Sequence, residues 1–366
     1  MNRRQPLALL AALPWLAARG SAAAAQALHG TPAQPPLAFP RDHGAHPDWR
    51  TEWWYLTGRL LAPDARVYGF QVTFFRSRVD EARSLRSAFA ARQLLFAHAA
   101  VTDLAGKRLW HDQRIARAGF GIAASGTGEA DLRLRDWTLA RQADGAWQAT
   151  IPAAGFTLAL HARPSQPVLL QGEQGLSRKG PEPRQASWYY SLPQLTVQAR
   201  LELQGRVTAV TGRAWLDHEW SEELLHPEAV GWDWIGMNLA DGGALTAFRL
   251  RRADGRTLWS GGSWRTGPAA GGTLRVAMPG EVVFTPGRIW RSPASGARYP
   301  VEWTVDTPAG RMTVRAALDD QELDSRTSTG AIYWEGLSEL RDAAGHPVGE
   351  GYLEMTGYAG ALRLGG

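Results

Sequence analysis

Nine consecutive residues, Ala214-Trp215-Leu216-Asp217-His218-Glu219-Trp220-Ser221-Glu222, hold the densest mixture of acids, imidazole and indole in the chain. Read as a strand, they alternate between two faces, with Trp215, Asp217 and Glu219 on one and Leu216, His218 and Trp220 on the other. Two carboxylates beside an indole raise one another's pKa by repulsion and desolvation. A carboxylic acid that keeps its proton near neutral pH is a general acid. The same pattern also suits a domain junction, with Asp217 and Glu219 paired to arginines and His218 a hydrogen-bonded core histidine. Both readings stay open, because perturbed groups mark functional sites only statistically.

Five further clusters carry polar and aromatic residues together. In Glu52-Trp53-Trp54-Tyr55, Glu52 and Trp54 share one face and Trp53 and Tyr55 the other. A glutamate on an aromatic strand needs a partner. Phe96 and His98 share a face with Leu94 and Ala100, and a lone histidine in such company is ordinarily a hydrogen-bonded core residue. Trp188 and Tyr190 share a face, as do Trp232 and Trp234 with Asp233 opposite, and Tyr333-Trp334-Glu335-Gly336 follows Ser328-Thr329-Gly330. Asp42, His43 and His46, and the Asp217-His218-Glu219 run, offer metal-ligand types. Adjacent strand residues point in opposite directions, however, and the chain has neither cysteine nor a His-x-x-x-His helix, so no metal is expected. A Gly-x-Ser-x-Gly elbow and a Gly-Lys-Ser/Thr phosphate loop are also missing. Serine-hydrolase, kinase and P-loop chemistry lose their support, and no cofactor is expected.

The elements that must position these residues read as strands almost throughout. Tyr68–Phe75, Leu94–Thr102, Asp131–Leu139, Phe156–Ala162 and Leu195–Leu203 are short β-rich runs separated by turn residues, and a second series follows Trp215. Such spacing predicts barrels or sandwiches. Glu81–Arg92 is the best helical stretch, though it serves equally as a loop with one or two turns. Residues 171–186 form the clearest internal loop, expected to be a mobile surface loop rather than a cover over a barrel mouth. A faint echo between Glu52-Trp53-Trp54 and Trp232-Asp233-Trp234 suggests two β units, each opening on a tryptophan-bearing strand. The expected divisions are 1–25, a flexible Pro/Ala arm over 26–40, a first domain over 41–213 and a second over 214–362.

The opening residues have the layout of a cleavable export signal. Arg3-Arg4 is followed by an apolar run over 7–18 and then Ser21-Ala22-Ala23-Ala24-Ala25, with cleavage expected after Ala25. The arginine pair suits either a Sec or a twin-arginine signal. A periplasmic or secreted protein without a transmembrane span is therefore expected, since no apolar run approaches the 20 or so residues a span needs. The formal charge of +5 includes Arg3, Arg4 and Arg19 of this segment, so cleavage leaves about +2. With no dense basic run and only Lys107 and Lys179 as lysines, nucleic acid is not an expected partner. The absence of cysteine excludes disulfides and a cysteine lipid anchor. Seventeen tryptophans imply aromatic-lined cavities or many aromatic caps on sheets.

His46-Pro47-Asp48-Trp49-Arg50-Thr51-Glu52-Trp53-Trp54-Tyr55, Phe96-Ala97-His98-Ala99-Ala100-Val101-Thr102-Asp103, Trp188-Tyr189-Tyr190-Ser191, Ala214 to Trp220 and Gly231-Trp232-Asp233-Trp234 together resemble the AttH-like family. That family includes hydroxyneurosporene synthase, a carotenoid 1,2-hydratase. The resemblance covers residues 40 to 360 and is strongest to its exported bacterial branch. It implies an all-β fold of two lipocalin-like β-barrel domains in tandem, with an apolar ligand in or between the barrels. A packing role at the barrel floor, common for a first-strand tryptophan in such barrels, falls to Trp53 or Trp54. Three functions follow as expectations: an exported carrier of a lipid or polyprenoid, a hydratase acting on an isolated C=C bond, or an envelope accessory of a transporter. If hydration occurs, Asp217, Glu219, Asp233 and Glu52 are the candidate acids and His218 holds the water or the acid. Trp220, Trp232 and Trp234 would stabilise the cation. Trp54, His98, Trp188 and Tyr190 complete the expected ligand-binding set.

Overall fold

A computed structural model describes residues 36–223 and 225–362. The expected signal segment lies outside the described residues. The strands of the first half are β1 (Thr51–Leu61), β2 (Val67–Arg78), β3 (Gln93–Asp103), β4 (Arg108–Arg117), β5 (Ala123–Ser125), β6 (Asp131–Leu134) and β7 (Trp137–Arg141). They continue with β8 (Trp147–Ala153), β9 (Phe156–Arg163), β10 (Leu169–Leu170), β11 (Leu176–Arg178), β12 (Ala186–Leu203) and β13 (Arg206–Ser221). The second half holds β14 (Gly231–Leu239), β15 (Ala244–Arg251), β16 (Thr257–Arg265), β17 (Leu274–Val276), β18 (Val283–Pro286) and β19 (Ile289–Arg291). It ends with β20 (Arg298–Pro300), β21 (Glu302–Thr307), β22 (Gly310–Ala316), β23 (Glu322–Ser325), β24 (Ala331–Arg341) and β25 (Pro347–Met355).

Two large antiparallel sheets result. The first runs β4-β3-β2-β1-β13-β12-β9-β8-β7-β6-β5, and β4 comes back against β6 and β8 so that the sheet nearly closes. The second runs β17-β16-β15-β14-β25-β24-β22-β21-β18. These are two lipocalin-like β-barrel units in tandem, as the family resemblance implies. The tryptophan echo has a topological counterpart: β1 and β14 each open a sheet and lie between the next strand and the last long one. Each sheet wraps its own apolar core, one built on Leu56, Phe70, Trp137, Trp147 and Trp220, the other on Trp303, Val305, Trp334 and Leu353. Trp54 packs in the first of these cores, the role expected of a first-strand tryptophan.

Burial along the longest strands locates the contact between barrels. In β12 the residues from Thr196 onward alternate between exposed and buried, the signature of a sheet with one wet face. Before that, Ala186–Leu195 is buried on almost every residue, and in β13 so is Ala214–Ser221. The second barrel covers the outer face there, through a cluster of Tyr55, Trp215, Trp234, Phe248, Leu337 and Tyr352.

Three sequence expectations change. The division at 213/214 falls inside β13, whose residues to Ser221 pair with β1 and β12, so the change of sheet lies between Ser221 and Gly231. The last residues of the supposed flexible arm are docked: Leu37 packs on the first core, the Phe39 ring meets His43 and Tyr190, and the Ala38 N–H donates to Asp42. Residues 171–186 are not a free surface loop. β10 and β11 pair with β12, and Gln171, Ser177, Lys179 and Gln185 are buried. Over 81–92 the only helical turn is the 3-10 segment Asp80–Ala82.

The β1–β13 ladder also explains two glycines. A Cβ on Gly212 would lie 1.9 Å from the Arg59 carbonyl oxygen, and one on Gly58 2.3 Å from that of Arg213. Gly212→Ala must therefore part the two strands, a cost of about 2 kcal/mol by analogy with overpacked cores. Urea denaturation of the variant is expected to show that loss.

Candidate functional site

The covered outer face does not close completely. A cavity of about 530 Å³ remains between the barrels. From the first barrel it is lined by Tyr55 of β1, Phe75 of β2, Phe96 and His98 of β3, Tyr189 of β12, and Asp217 and Glu219 of β13. From the second come Trp232 and Trp234 of β14, Phe248 and Leu250 of β15, Tyr333 and Glu335 of β24, and Glu354 of β25. Each strand contributes residues two apart, because alternate side chains stand on one face. Lys179, from the loop after Gln171, closes one side.

The acids in this wall are not alike. Asp217 accepts hydrogen bonds from Tyr189 Oη at 2.7 Å, Ser191 Oγ at 2.5 Å and Trp215 Nε1 at 2.6 Å. All three donors are neutral. Burial therefore wins and pushes the Asp217 carboxyl up to about 7, with the charge of Glu219 a smaller addition. Glu219 has a cation instead: Lys179 Nζ lies 2.9 Å away, and Ser187 also donates to it. The same ammonium sits 4.2 Å from the Phe248 ring centre and 4.9 Å from that of Tyr189. Glu354 accepts the Trp232 indole N–H at 2.9 Å and is raised to about 7, again mainly by burial. Burial and the neighbouring Glu354 charge push the Glu335 carboxyl well above its ordinary range. His98 bridges the barrels through Tyr333 Oη and Ser328 Oγ, both at 2.8 Å, and burial pulls it down to about 3, so its ring is neutral.

Behind the wall, inside the first barrel, lies a second polar network. Glu52 Oε1 is 2.7 Å from His46 Nδ1 and 2.9 Å from His218 Nε2, and Glu52 Oε2 accepts from Arg76 Nε at 2.7 Å. Burial alone would raise this carboxyl, but hydrogen bonds from His218 and His46 and the Arg76 charge hold it well below the usual range. Burial pulls His218 down to about 4, so it donates to Glu52 as a neutral ring rather than as an ion-pair partner. Trp54 stacks on His218 with 4.5 Å between centres, Trp220 stacks on His46 at 3.8 Å, and Tyr190 Oη bridges His43 and His218. His46, Glu52 and His218 place ligand atoms within 4.8 Å of one another. Both Glu52 oxygens are already occupied, one by a buried guanidinium, and an added cation would face that charge.

The expected site residues therefore separate. Asp217, Glu219, His98, Trp232 and Trp234 meet at the cavity. Glu52 touches its boundary, but its carboxyl is spent on the inner network, and His218, Trp54, Tyr190 and Trp220 face the first core. Trp188 packs against that same core. Asp233, expected as an acid of the site, is instead sealed in the second barrel, accepting from Arg249 Nε at 2.7 Å and Tyr358 Oη at 2.8 Å. The reason in each case is strand parity: one residue along, the side chain leaves the cavity. Tyr55, Tyr189, Lys179, Phe248, Glu335 and Glu354 were not among the expected residues. The sequence signal for three of them is an aromatic and a polar residue two apart, in Trp53/Tyr55, Tyr333/Glu335 and Tyr352/Glu354.

The AttH-like family model matches residues 30–358. The chain belongs to the AttH-like family. A crystal structure of a Nitrosomonas europaea protein given as an AttH is 47% identical, covering 90% of this chain and all of that one, with a TM-score of 0.83. Kievitone hydratase from Nectria haematococca is 15% identical over 90% of this chain and 95% of its own, at a TM-score of 0.69, and so shares the fold. CghA, in a structure with Sch210972, has a TM-score of 0.52 at 11% identity, covering 89% of this chain and 94% of its own. Among curated proteins none matches the chain significantly.

The inner network of this AttH-like chain yields a stability prediction. Glu52→Gln leaves the Arg76 guanidinium buried without its counter-charge, which costs about 3–5 kcal/mol in chemical denaturation at pH 7. A depressed carboxyl stabilises the fold above its unfolded pKa of about 4.3, and that contribution is lost as pH falls. The gap between wild type and Glu52→Gln is therefore expected to narrow on acidification.

Proposed function

We propose that the protein binds an apolar small molecule in the cavity between its barrels. The supporting observation is the cavity: about 530 Å³, walled by Phe75, Phe96, Trp232, Trp234 and Phe248, at the contact of two barrels. Volumes of 300–1,000 Å³ are usual for small-molecule sites. The leader-like opening sequence supports export of this carrier, as the sequence analysis expects. Native mass spectrometry on protein from its own compartment tests the reading directly. A co-purifying apolar molecule supports it, and protein that is empty from every source and refuses added lipophiles sinks it.

The acids favour a second, catalytic reading of the same site: hydration of an isolated C=C bond. An alkene takes a proton on one carbon and leaves a cation on the other. Water adds to the cation and returns a proton to the carboxylate. Asp217 supplies that proton through Tyr189: with the carboxyl protonated, the bond in which Tyr189 donates to Asp217 reverses, the carboxyl donates to the phenol oxygen, and the phenol O–H turns to the alkene, giving up its proton as it takes that of Asp217. The indole faces of Trp232 and Trp234 stabilise the cation. Kievitone hydratase, whose name gives it hydratase activity, has the same fold. The protonated form is the active one, so turnover on an acyclic carotenoid is expected to fall as pH rises through about 7, where the Asp217 carboxyl titrates. Asp217→Asn is expected to lower kcat by at least a hundredfold. Product analysis by mass spectrometry checks both, and an Asp217→Asn variant as active as wild type removes Asp217 from the chemistry.

A further inference from the structure

Two polar atoms in the cavity wall have no partner among the described residues: the Tyr55 hydroxyl and Glu335 Oε1. Both side chains are buried, Tyr55 at 6% exposure and Glu335 at 3%. They face one another closely enough for the Tyr55 hydroxyl to temper the rise of the Glu335 carboxyl, yet the geometry of a direct hydrogen bond is not reached. A buried polar group left unpaired costs about 1–3 kcal/mol, and native proteins rarely keep one without a use. Here there are two, side by side in one cavity, one on a strand of each barrel.

We infer that Tyr55 and Glu335 form a receptor for one oxygen atom of the bound molecule, so that the ligand is an apolar body with a carbonyl or hydroxyl rather than a pure hydrocarbon. The inference rests on the proposal that the cavity holds an apolar molecule, and it specifies what that molecule carries. The polarity of the pair sets the ligand's side of the bond. Burial raises Tyr55 well above its ordinary range, so it remains an O–H donor. Burial and Glu354 keep the proton on Glu335, which then donates as well. Two converging donors suit the two lone pairs of a neutral acceptor oxygen. An anionic head group at this spot would stand beside the Asp217 and Glu354 carboxyls, while the Lys179 cation is held by Glu219.

The register fixes where that oxygen sits. Tyr55 is the direct cross-strand partner of Asp217, and Glu335 that of Glu354. The receptor is thus flanked on both walls by the two carboxyls that titrate near neutrality. Trp234 meets the Tyr55 ring edge-on at 5.3 Å and provides an optical reporter beside it.

The test is a tryptophan-fluorescence titration of the full chain with 2-undecanone, 2-undecanol and undecane, on wild type, Tyr55→Phe, Glu335→Leu and Glu335→Gln. Comparing the ketone-to-alkane affinity ratio between proteins cancels the different water solubilities of the probes. That ratio, and the alcohol-to-alkane ratio, are expected to fall about tenfold in Tyr55→Phe and in Glu335→Leu, the worth of one buried hydrogen bond. Alkane affinity is expected to be unchanged in Tyr55→Phe. Glu335→Gln, whose amide still donates, is expected to recover most of the ratio. Because Tyr55 Oη makes no well-formed hydrogen bond within the protein, Tyr55→Phe is expected to leave the ligand-free melting temperature undiminished, which a structural hydroxyl would not. Ratios unaltered in both Tyr55→Phe and Glu335→Leu overturn the oxygen receptor while leaving the cavity as a ligand site. Failure of all three probes to bind wild type overturns the receptor and the carrier reading together.

Discussion

The structure depends on one constraint: over Ala186–Leu195 of β12 and Ala214–Ser221 of β13 the central strands of the first barrel are buried on both faces. There one face packs on a core of leucines, phenylalanines and tryptophans, and the second barrel covers the other. A strand in that position cannot spend its polar residues on solvent. Every acid on it must find a cation, a set of neutral donors or a ligand, because an isolated ionised group in such a place is very costly.

The two faces of β13 solve this differently. Toward the core, His218 joins Glu52, His46 and Arg76 in a network that contains a permanent cation, and Glu52 stays ionised. Toward the other barrel, Asp217 meets only hydroxyls and an indole, and its carboxyl drifts to about 7. Glu219, two residues along, keeps Lys179. Three acids within reach of one strand pair thus divide into two held by charge and one poised between states. The poised one is the one in the cavity wall without a cation, and that contrast gives the site its chemical character. Asp233 shows the same rule from the second barrel, where Arg249 and Arg251 neutralise it inside the core.

The loop over 171–186 belongs to this arrangement. It supplies Lys179 to Glu219 and Gln171 to Ser191 and Thr246, tying the β12 edge to the second barrel. Its Gly- and Pro-rich composition reads as loose chain, but its backbone pairs with β12 and four of its polar side chains are buried. Composition reports what a segment is free to do alone, and the neighbouring sheet edge decides what it does.

Alternation along single strands was legible in the amino-acid order. It separated Asp217 and Glu219 from His218, and Glu52 from Tyr55, and the long aromatic motifs carried the family. It also produced two β units, since runs of this length and spacing have few other folds. The order did not say which face of each strand a second barrel would cover. Period-two patterning marks sides but not surroundings, and a strand buried on both faces loses the polar side that would identify the outside. Trp54, Tyr190 and Trp220 therefore looked like ligand contacts and are core. Glu335 and Glu354, on strands more than a hundred residues from Asp217, became part of the same wall only when the barrels packed. Which carboxyls meet a cation, and which are left to titrate near pH 7, is a property of that packing and of nothing shorter in range.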